Sequence, residues 1–362
     1  NAPAYCSFER EQNYKAPVSK YAAFAYTSAL NHLLADKAHK KRIGDATVVF
    51  WAEDAEPGYQ DAFSFFVDGS SKDDNEVTNQ DLEALMKVIA DGNVVNWDNA
   101  TIEPDNRFYV LALSPNAARI SVRFFLRDSF GNMLKNLYAH YQRLEIVSDN
   151  RTKFKNIPLW ALLRETINQK STDKTPSPQM AGDTLKAILT GGLYPTTLYM
   201  QTQMRIRAER EIPQGRAAII KAYLLRNAED KNIKEVLTVE LNENTKYQPY
   251  VLGRLFSVLE EVQNQASGAT SIKDKYFTSA CATPSVVFPM ILSLADKHLR
   301  KLEGGRKVHY AKRIGELMGM ITESYPAHHN LHDQGIFQLG YYHQTQKRYE
   351  KKNNNKETME EN

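Results

Sequence analysis

The sequence predicts an α+β N-terminal portion followed by a mainly α C-terminal antiparallel helical bundle. Strand-forming runs lie before residue 130, whereas apolar residues recur at helical spacing through the second half. A Ser/Thr/Pro-rich stretch at 170–178 separates the two and is the best linker candidate. We therefore divide the chain into an α+β region, a helical connecting region, a bundle and a charged, disordered tail, at 1–170, 171–236, 239–350 and 351–362.

The N-terminal region begins with a predicted helix, strand and helix. Residues 19–35 carry apolar side chains at about helical spacing, and 47–51 form a short run of strongly β-forming residues. Residues 79–90 repeat apolar side chains on one helical face. Polar stretches at 56–61 and 69–75 predict loops.

Two more strands and a helix complete this region. The strands are predicted at 108–113 and 119–126, and the helix at 130–145. Alternation of apolar and polar side chains predicts that the second strand is half-buried with a basic outer face. The alternating residues are Arg119, Ile120, Ser121, Val122, Arg123 and Phe124.

The second half of the chain is predicted to be helical. Helical spacing indicates three helices in the connecting region, at 184–189, 196–210 and 215–227. Four longer runs follow one another, which predicts an antiparallel bundle. These runs are 247–265, 284–302, 308–325 and 331–349.

The low net charge and the small number of cysteines exclude a polycation and a disulfide-stabilised protein. The chain of 362 residues has a net charge of +3, so any contact with nucleic acid must come from local clusters of cations. Its two cysteines, Cys6 and Cys281, cannot form a disulfide framework, and we expect a reducing, cytoplasmic location. Because the first methionine is Met86, we expect the chain to be a fragment that lacks its natural N-terminal portion.

One group of side chains suggests metal chemistry. The spacing of His328, His329, His332 and Asp333 could place two imidazoles and a carboxylate close together. The alternative function is therefore a metal-dependent nuclease or phosphohydrolase. Pro326 places the group at a helix start, where polar residues act as caps, and no partner motif supplies the remaining ligands, so the capping interpretation is favoured.

Clusters of basic residues suggest contact with nucleic acid. Helices that present Lys and Arg on one face suit a phosphate backbone, because each cation displaces a condensed counterion. Lys273 and Lys275 lie beside Tyr276 and Phe277, a mixture typical of single-strand binders. The first helical cluster comprises Arg205, Arg207, Arg210, Arg216, Lys221 and Arg226, and the second comprises Lys297, Arg300, Lys301, Arg306, Lys307, Lys312 and Arg313. The other interpretation is that both clusters are solvated helix faces.

Six segments, taken in order, carry a resemblance to a known family. They are NAPAYCS at 1–7, APV at 16–18, ALNHLL at 29–34, GDATVVFWAE at 44–53, YVLGRLF at 250–256 and GYYHQ at 340–344. With these segments the chain resembles the large subunit of type I-C CRISPR complexes. The resemblance extends over nearly all of residues 1–350, and the ordered set is far more specific than any one segment.

The resemblance implies a non-catalytic subunit of a crRNA-guided antiviral surveillance complex, which requires no cofactor. Pairing with the guide reads the target sequence, while the large subunit reads the PAM, supports the R-loop and helps to recruit a helicase–nuclease. The family's PAM-reading region lies toward the N-terminus, and most of it is expected to be absent here. The implied partners are crRNA-bearing backbone subunits, a crRNA-processing subunit, both DNA strands and a separately made small subunit.

The resemblance also bears on the C-terminal half. The bundle resembles the small subunits that line the DNA path, and in some family members it is also made from an internal start, which here would lie near Val239. The second basic cluster is then expected to contact the displaced strand or the target-strand backbone. Arg205, Arg207 and Arg210 are expected to contact either DNA or the guide-bearing subunits.

Overall fold

The fold class predicted from the sequence is confirmed by the structure, a computed structural model. A small antiparallel sheet lies in the N-terminal half, and the C-terminal half is helical. Cys6 and the loop predicted at 69–75 lie outside the described residues. The structure describes residues 18–54, 58–68, 79–97, 100–117, 119–148, 157–172, 174–268 and 271–360. Within these ranges, no helix is both long and apolar enough to cross a membrane.

The main sheet has four antiparallel strands in the order β1-β2-β5-β6. β3 and β4 form a separate two-stranded ribbon. The register places Phe50 of β2 opposite Val110 of β5, and both side chains are fully buried. The strands are β1 (Lys40–Ile43), β2 (Ala46–Ala52), β3 (Val95–Trp97), β4 (Ala100–Ile102), β5 (Arg107–Asn116) and β6 (Arg119–Ser129).

Aromatic side chains hold helices against one face of this sheet. The Phe63 ring of α2 lies 4.8 Å from Phe50 and 4.9 Å from Phe108, and Phe130 of α4 lies 5.0 Å from Phe108. Such tilted ring pairs add to the hydrophobic stabilisation. The helices of this half are α1 (Lys20–Ala35), α2 (Gly58–Asp68), α3 (Asn79–Ala90) and α4 (Phe130–Leu144).

The prediction of a half-buried β6 is wrong over its first half. Ile120 and Val122 are each 60% exposed, and only Phe124 is buried. The reason lies in the register, because β2 pairs with β5 only as far as Leu113, so the tip of the β5–β6 hairpin projects beyond the sheet. A register shift between Ala112 and Leu113 marks the point where the hairpin leaves the core.

The helical half is built around α9. Helices α10 to α13 all contact α9, and α13 also packs against α8. Two aromatic rings of α9 and α10, Phe256 and Phe277, pack 5.4 Å apart at its centre. The helices are α5 (Leu159–Glu165), α6 (Pro178–Thr190), α7 (Thr196–Glu209), α8 (Gln214–Asn227), α9 (Gln248–Ser267), α10 (Ser271–Ala282), α11 (Pro284–Leu299), α12 (Gly304–Met320) and α13 (Leu331–Glu360).

The last helix differs from the expectation of a disordered tail at 351–362. α13 continues to Glu360 and so includes most of that segment. The segment contains no Gly or Pro and is rich in Lys and Glu, which are good helix formers. Charge and low complexity therefore do not interrupt the helix that precedes them.

α9 and α13 meet backbone to backbone at two glycines. A Cβ atom on Gly253 would overlap the carbonyl oxygen of Phe337, and one on Gly340 would overlap the carbonyl oxygen of Tyr250. Only glycine lets the helices approach this closely. Polar contacts flank the crossing: the Tyr250 hydroxyl lies 2.8 Å from Nδ1 of His343. Each glycine is therefore required by its position in the interface.

We predict that Gly253→Ala and Gly340→Ala each destabilise the protein by about 1–3 kcal/mol or more, because overpacking must push the helices apart. The matched control is Gly315→Ala on α12, where a Cβ would meet nothing within 4 Å. That change removes a helical glycine and is expected to be neutral or stabilising by up to about 1 kcal/mol. Urea denaturation followed by circular dichroism measures all three, and equal effects at the three positions would contradict the close approach.

We also predict an acid-labile bundle. Burial lowers the pKa of His343 to about 3, whereas an unfolded histidine titrates near pH ~6.5. Between these values the unfolded state binds the extra proton, so the free energy of unfolding falls as pH falls, by about 1.4 kcal/mol per pH unit for each such group.

His343→Gln is expected to remove the contribution of this residue to the pH dependence of the free energy of unfolding between about pH 6 and pH 4. The comparison variant is His309→Gln, which also removes one imidazole, at an exposed position of α12. Denaturant titrations at several pH values measure the slope. An unchanged slope in His343→Gln would show that this imidazole does not stay neutral in the folded chain.

Candidate nucleic-acid interface

The second basic cluster forms one exposed surface, which we name the α11–α12 ridge. It occupies the last turn of α11, the connecting turn and the first three turns of α12. All of its side chains are exposed except Arg313, which is half-buried. The ridge comprises Lys297, Arg300, Lys301, Arg306, Lys307, Lys312 and Arg313.

The helix pair that carries the ridge is fixed at its connecting turn and at its opposite end. Leu302 is buried beneath it, and Gly304 takes a positive φ of 55° that favours glycine. At the other end of the helix pair, the Ser285 N–H donates to the Pro326 carbonyl at 3.0 Å. Because α11 and α12 also both contact α9, the cations of the two helices keep a fixed relation to each other.

Nearby acidic residues offset the positive charge of the ridge only locally. Arg300 lies 2.8 Å from Asp296, and Lys312 lies 4.0 Å from Glu316, each one helical turn away. The two basic side chains are 75% and 76% exposed. Exposed pairs of this kind contribute roughly 0–1 kcal/mol. A phosphate group could therefore replace either carboxylate at little cost.

A groove extends the ridge toward α13. It has a volume of about 190 Å³ and lies between Arg313 of α12 and Lys347 and Arg348 of α13. Arg348 lies 3.8 Å from Glu261 of α9, and both side chains are largely buried. Neither Lys347 nor Arg348 was predicted from the sequence to be a site residue. Both residues lie one helical turn after Gln344 and therefore on the same face of α13. The sequence alone does not show that this face meets α12.

The cations of α7 have partners within the chain. Arg205 lies 3.6 Å from Glu209, and Nη2 of Arg207 donates to Oε1 of Gln334 on α13 at 2.7 Å. Arg210 ends α7 with a positive φ of 58°. These residues are therefore not presented as a continuous positive face in the way that the α11–α12 ridge is.

Two further members of the first cluster are buried and support the fold. Arg216 lies 3.5 Å from Glu165 and 2.5 Å from Glu209. Lys221 donates to the carbonyls of Arg143 and Glu145 at 3.2 and 2.7 Å. Burial lowers the pKa of Lys221 to about 8. The sequence interpretation of the whole 205–226 cluster as a surface is thus wrong for Arg216 and Lys221.

Phe277 of α10 does not form a stacking platform. Phe277 is 1% exposed and packs against Phe337 and Tyr341. Lys273 lies 3.6 Å from Glu211 and 5.5 Å from the centre of the Tyr341 ring. Lys275 is exposed. Nucleobases therefore have no access to Phe277, because helical periodicity directs it into the core.

The structure does not bring the histidine group together as a metal site. Nδ1 of His329 lies 2.9 Å from the Cys281 carbonyl, and His332 packs edge-on against Tyr199. Asn330 caps α13 by accepting from the Asp333 N–H at 2.9 Å. Across the part of the chain that the structure describes, no group of three or more His, Cys, Asp or Glu side chains is arranged to hold a metal ion.

Burial also affects the one described cysteine. Cys281 is buried, and burial raises the pKa of its thiol to about 12. A thiol with this pKa stays protonated at neutral pH and is a poor nucleophile. Its sulfur instead contributes to the packing between α10 and α13, where it contacts the Gln334 carbonyl.

The fold and its surface define a mixed α+β protein whose helical half presents a fixed row of cations. A model of the family CRISPR-associated protein (Cas_Csd1) matches residues 1–349. The chain therefore belongs to the Cas_Csd1 family of CRISPR-associated proteins. Among curated proteins, no match was found.

We predict that the purified chain contains far less than one bound transition-metal ion per chain, because the His329 and His332 rings already have protein partners. Elemental analysis by mass spectrometry measures this, with His309→Ala on exposed α12 as the control and His329→Ala as the test. Stoichiometric metal that is lost only in His329→Ala would instead support the metal-dependent nuclease.

Proposed function

We propose that this chain belongs to the large subunit of a type I-C crRNA-guided antiviral surveillance complex, Cascade. In this role it acts in the cytoplasm without catalysis of its own and without a cofactor. It supports target-DNA binding, stabilises the R-loop and helps to recruit the helicase–nuclease. Membership of the Cas_Csd1 family supports the CRISPR context, and the resemblance of the ordered segments supports the specific role.

The α11–α12 ridge is the observation that carries this proposal. Its exposed cations lie on helices packed against a common core helix, and their nearby acids are exposed and weakly held. Such a surface binds a sugar-phosphate strand through charge, without reading its sequence. We assign the ridge to the displaced strand or to the target-strand backbone, because guide pairing would read the sequence.

The partners of the complex divide between the two basic clusters. We assign Arg205, Arg207 and Arg210 to the crRNA-bearing backbone subunits, since Arg205 and Arg207 are held by partners within the chain. Lys275 is exposed, and we assign it to DNA contact at the edge of the bundle, whereas Lys273 is held by Glu211 and the Tyr341 ring. The crRNA-processing subunit and the helicase–nuclease complete the set of proposed partners.

We further propose that the bundle from Val239 onward resembles a small subunit that is also made separately. The contacts of α9 with α10 to α13 support this, because they supply a core within residues 239–350. A separate copy would lose the contact of α13 with α7, where Gln203 and Gln338 exchange two amide hydrogen bonds at 2.9 and 2.7 Å. The separate product would therefore require another partner for that polar surface.

We predict that replacing Lys297, Arg300, Lys301, Lys312 and Arg313 by Ala weakens target-DNA binding by the assembled complex at least about tenfold at moderate salt. Each lost phosphate contact lowers the slope of log affinity against log salt by about 0.7–0.9, so the slope should fall by up to about 4. Gel-shift or filter-binding titrations over a range of salt concentrations measure both quantities.

The matched control also removes five positive charges, from exposed lysines outside the ridge. Its DNA affinity and salt slope should stay close to those of the unmodified complex, and both variants should co-purify with guide RNA. Equal losses in the two variants would mean that only net charge matters, and the ridge would have no specific role. The control replaces Lys87, Lys135, Lys186, Lys234 and Lys246 by Ala.

A further inference from the structure

A second concave site lies far along the chain from the ridge residues, between β1, α2, α5 and the segment after α5. Its volume is about 390 Å³, which is within the range of small-molecule sites, roughly 300–1,000 Å³. Aliphatic side chains form its walls, including Ile43, Leu163 and Ile167. We name this cavity the α5 pocket.

Positive charge surrounds the α5 pocket. Arg42, Arg164 and Lys174 line it, and all three side chains are exposed to solvent. None of the described residues that line it is a carboxylate. The nearby Glu165 is engaged elsewhere, because it lies 3.5 Å from the buried Arg216. The pocket therefore favours an anionic ligand.

An aromatic side chain completes the site. Trp160 lines the pocket and is 48% exposed. A tryptophan ring in this position offers a planar surface on which another aromatic group can stack. Aliphatic walls, a partly exposed indole and surrounding cations together suit a ligand that has both an aromatic ring and a negative charge.

The wall formed by the segment after α5 is held in place. Nε of Arg164 donates to Oε1 of Gln169 at 3.4 Å, and Nε2 of Gln169 returns to the Arg164 carbonyl at 2.9 Å. Pro176, within the stretch predicted to be a linker, also lines the cavity. Ring closure in proline restricts the backbone there. The cavity is thus formed before any ligand arrives.

We propose that the α5 pocket binds one nucleotide unit, with the base against Trp160 and the phosphate among Arg42, Arg164 and Lys174. This inference rests on the proposed function for the source of the nucleotide, which is a single DNA strand held by the complex. A free mononucleotide has the same chemistry, so the experiment must distinguish the two sources. An acidic peptide would match the charge but would gain little from the indole.

The test measures binding of a short fluorescein-labelled oligothymidine to the full chain by fluorescence anisotropy. Trp160→Ala is expected to weaken binding by about tenfold, whereas Trp160→Phe, which keeps a stacking ring, should stay within about twofold. Lys174→Glu provides a surface change that tests the site even if Trp160→Ala folds poorly. Its matched control, Lys186→Glu on exposed α6, is expected to have little effect.

Two competitors identify the source of the ligand. Unlabelled oligothymidine and adenosine monophosphate are each used to displace the labelled probe. If adenosine monophosphate displaces it only at concentrations far above those that oligothymidine needs, the site takes its nucleotide from a strand. Competition at equal concentration indicates that it takes a free mononucleotide, and the nucleotide site stands in either case. Displacement by polyglutamate but not by adenosine monophosphate would overturn the proposal in favour of an acidic peptide.

The same titrations separate this inference from the proposed function. If Trp160→Ala and Lys174→Glu leave binding unchanged while the five-alanine ridge variant weakens it, the nucleotide pocket is overturned and the ridge stands. If the pocket variants weaken binding and the ridge variant does not, the pocket stands and the proposed role of the ridge fails.

Discussion

The backbone contact between α9 and α13 is the constraint on which the C-terminal half depends. Helices in proteins usually pack with their axes about 8–10 Å apart, and Gly253 and Gly340 remove the side chains that would hold these two helices apart. Because α11 and α12 also rest on α9, any shift of that helix moves the α11–α12 ridge. The groove beside Arg313 depends on the same contact, since α9, α12 and α13 all line it.

Burial divides the positive charges of the chain into two groups with different roles. Arg216 and Lys221 are taken out of water and so require partners, which two carboxylates and four backbone carbonyls supply. Cations of the α11–α12 ridge stay hydrated and keep their capacity to bind an outside anion. Counting charges along the sequence treats these groups as equal, whereas their surroundings assign one to stability and the other to recognition.

The sequence predicted those helices and strands whose own residues show a clear apolar spacing or a clear run of β-forming side chains. The helix predicted at 130–145 is confirmed by α4, and the strand predicted at 47–51 is confirmed by β2. Two short elements are among those that were missed. β1 is mostly charged and exists because β2 pairs with it, and α5 is only seven residues long. Each lacks the length or the pattern that a sequence window can detect.

The candidate sites follow the same rule: local spacing predicted one of them, and the other depends on tertiary packing. The spacing of Lys297, Arg300 and Lys301 places them on one helical face, and the structure leaves them exposed. The α5 pocket could not be foreseen, because Arg42, Trp160 and Lys174 come from segments that are brought together only by tertiary packing. Similarly, the partners of Arg216 include Glu165, which lies 51 residues away. Contacts of this kind follow from the whole fold and leave no local pattern.

Proton and salt effects act on different parts of this molecule. Burial lowers the pKa values of His140 and His343 to about 3, so both imidazoles stay neutral at physiological pH and charge only as the fold is lost. The α11–α12 ridge consists of Lys and Arg side chains, most of them exposed to water and salt. Acid therefore acts on the stability of the core, and ionic strength acts first on the exposed cations. A nucleic-acid contact built in this way weakens as the salt concentration rises.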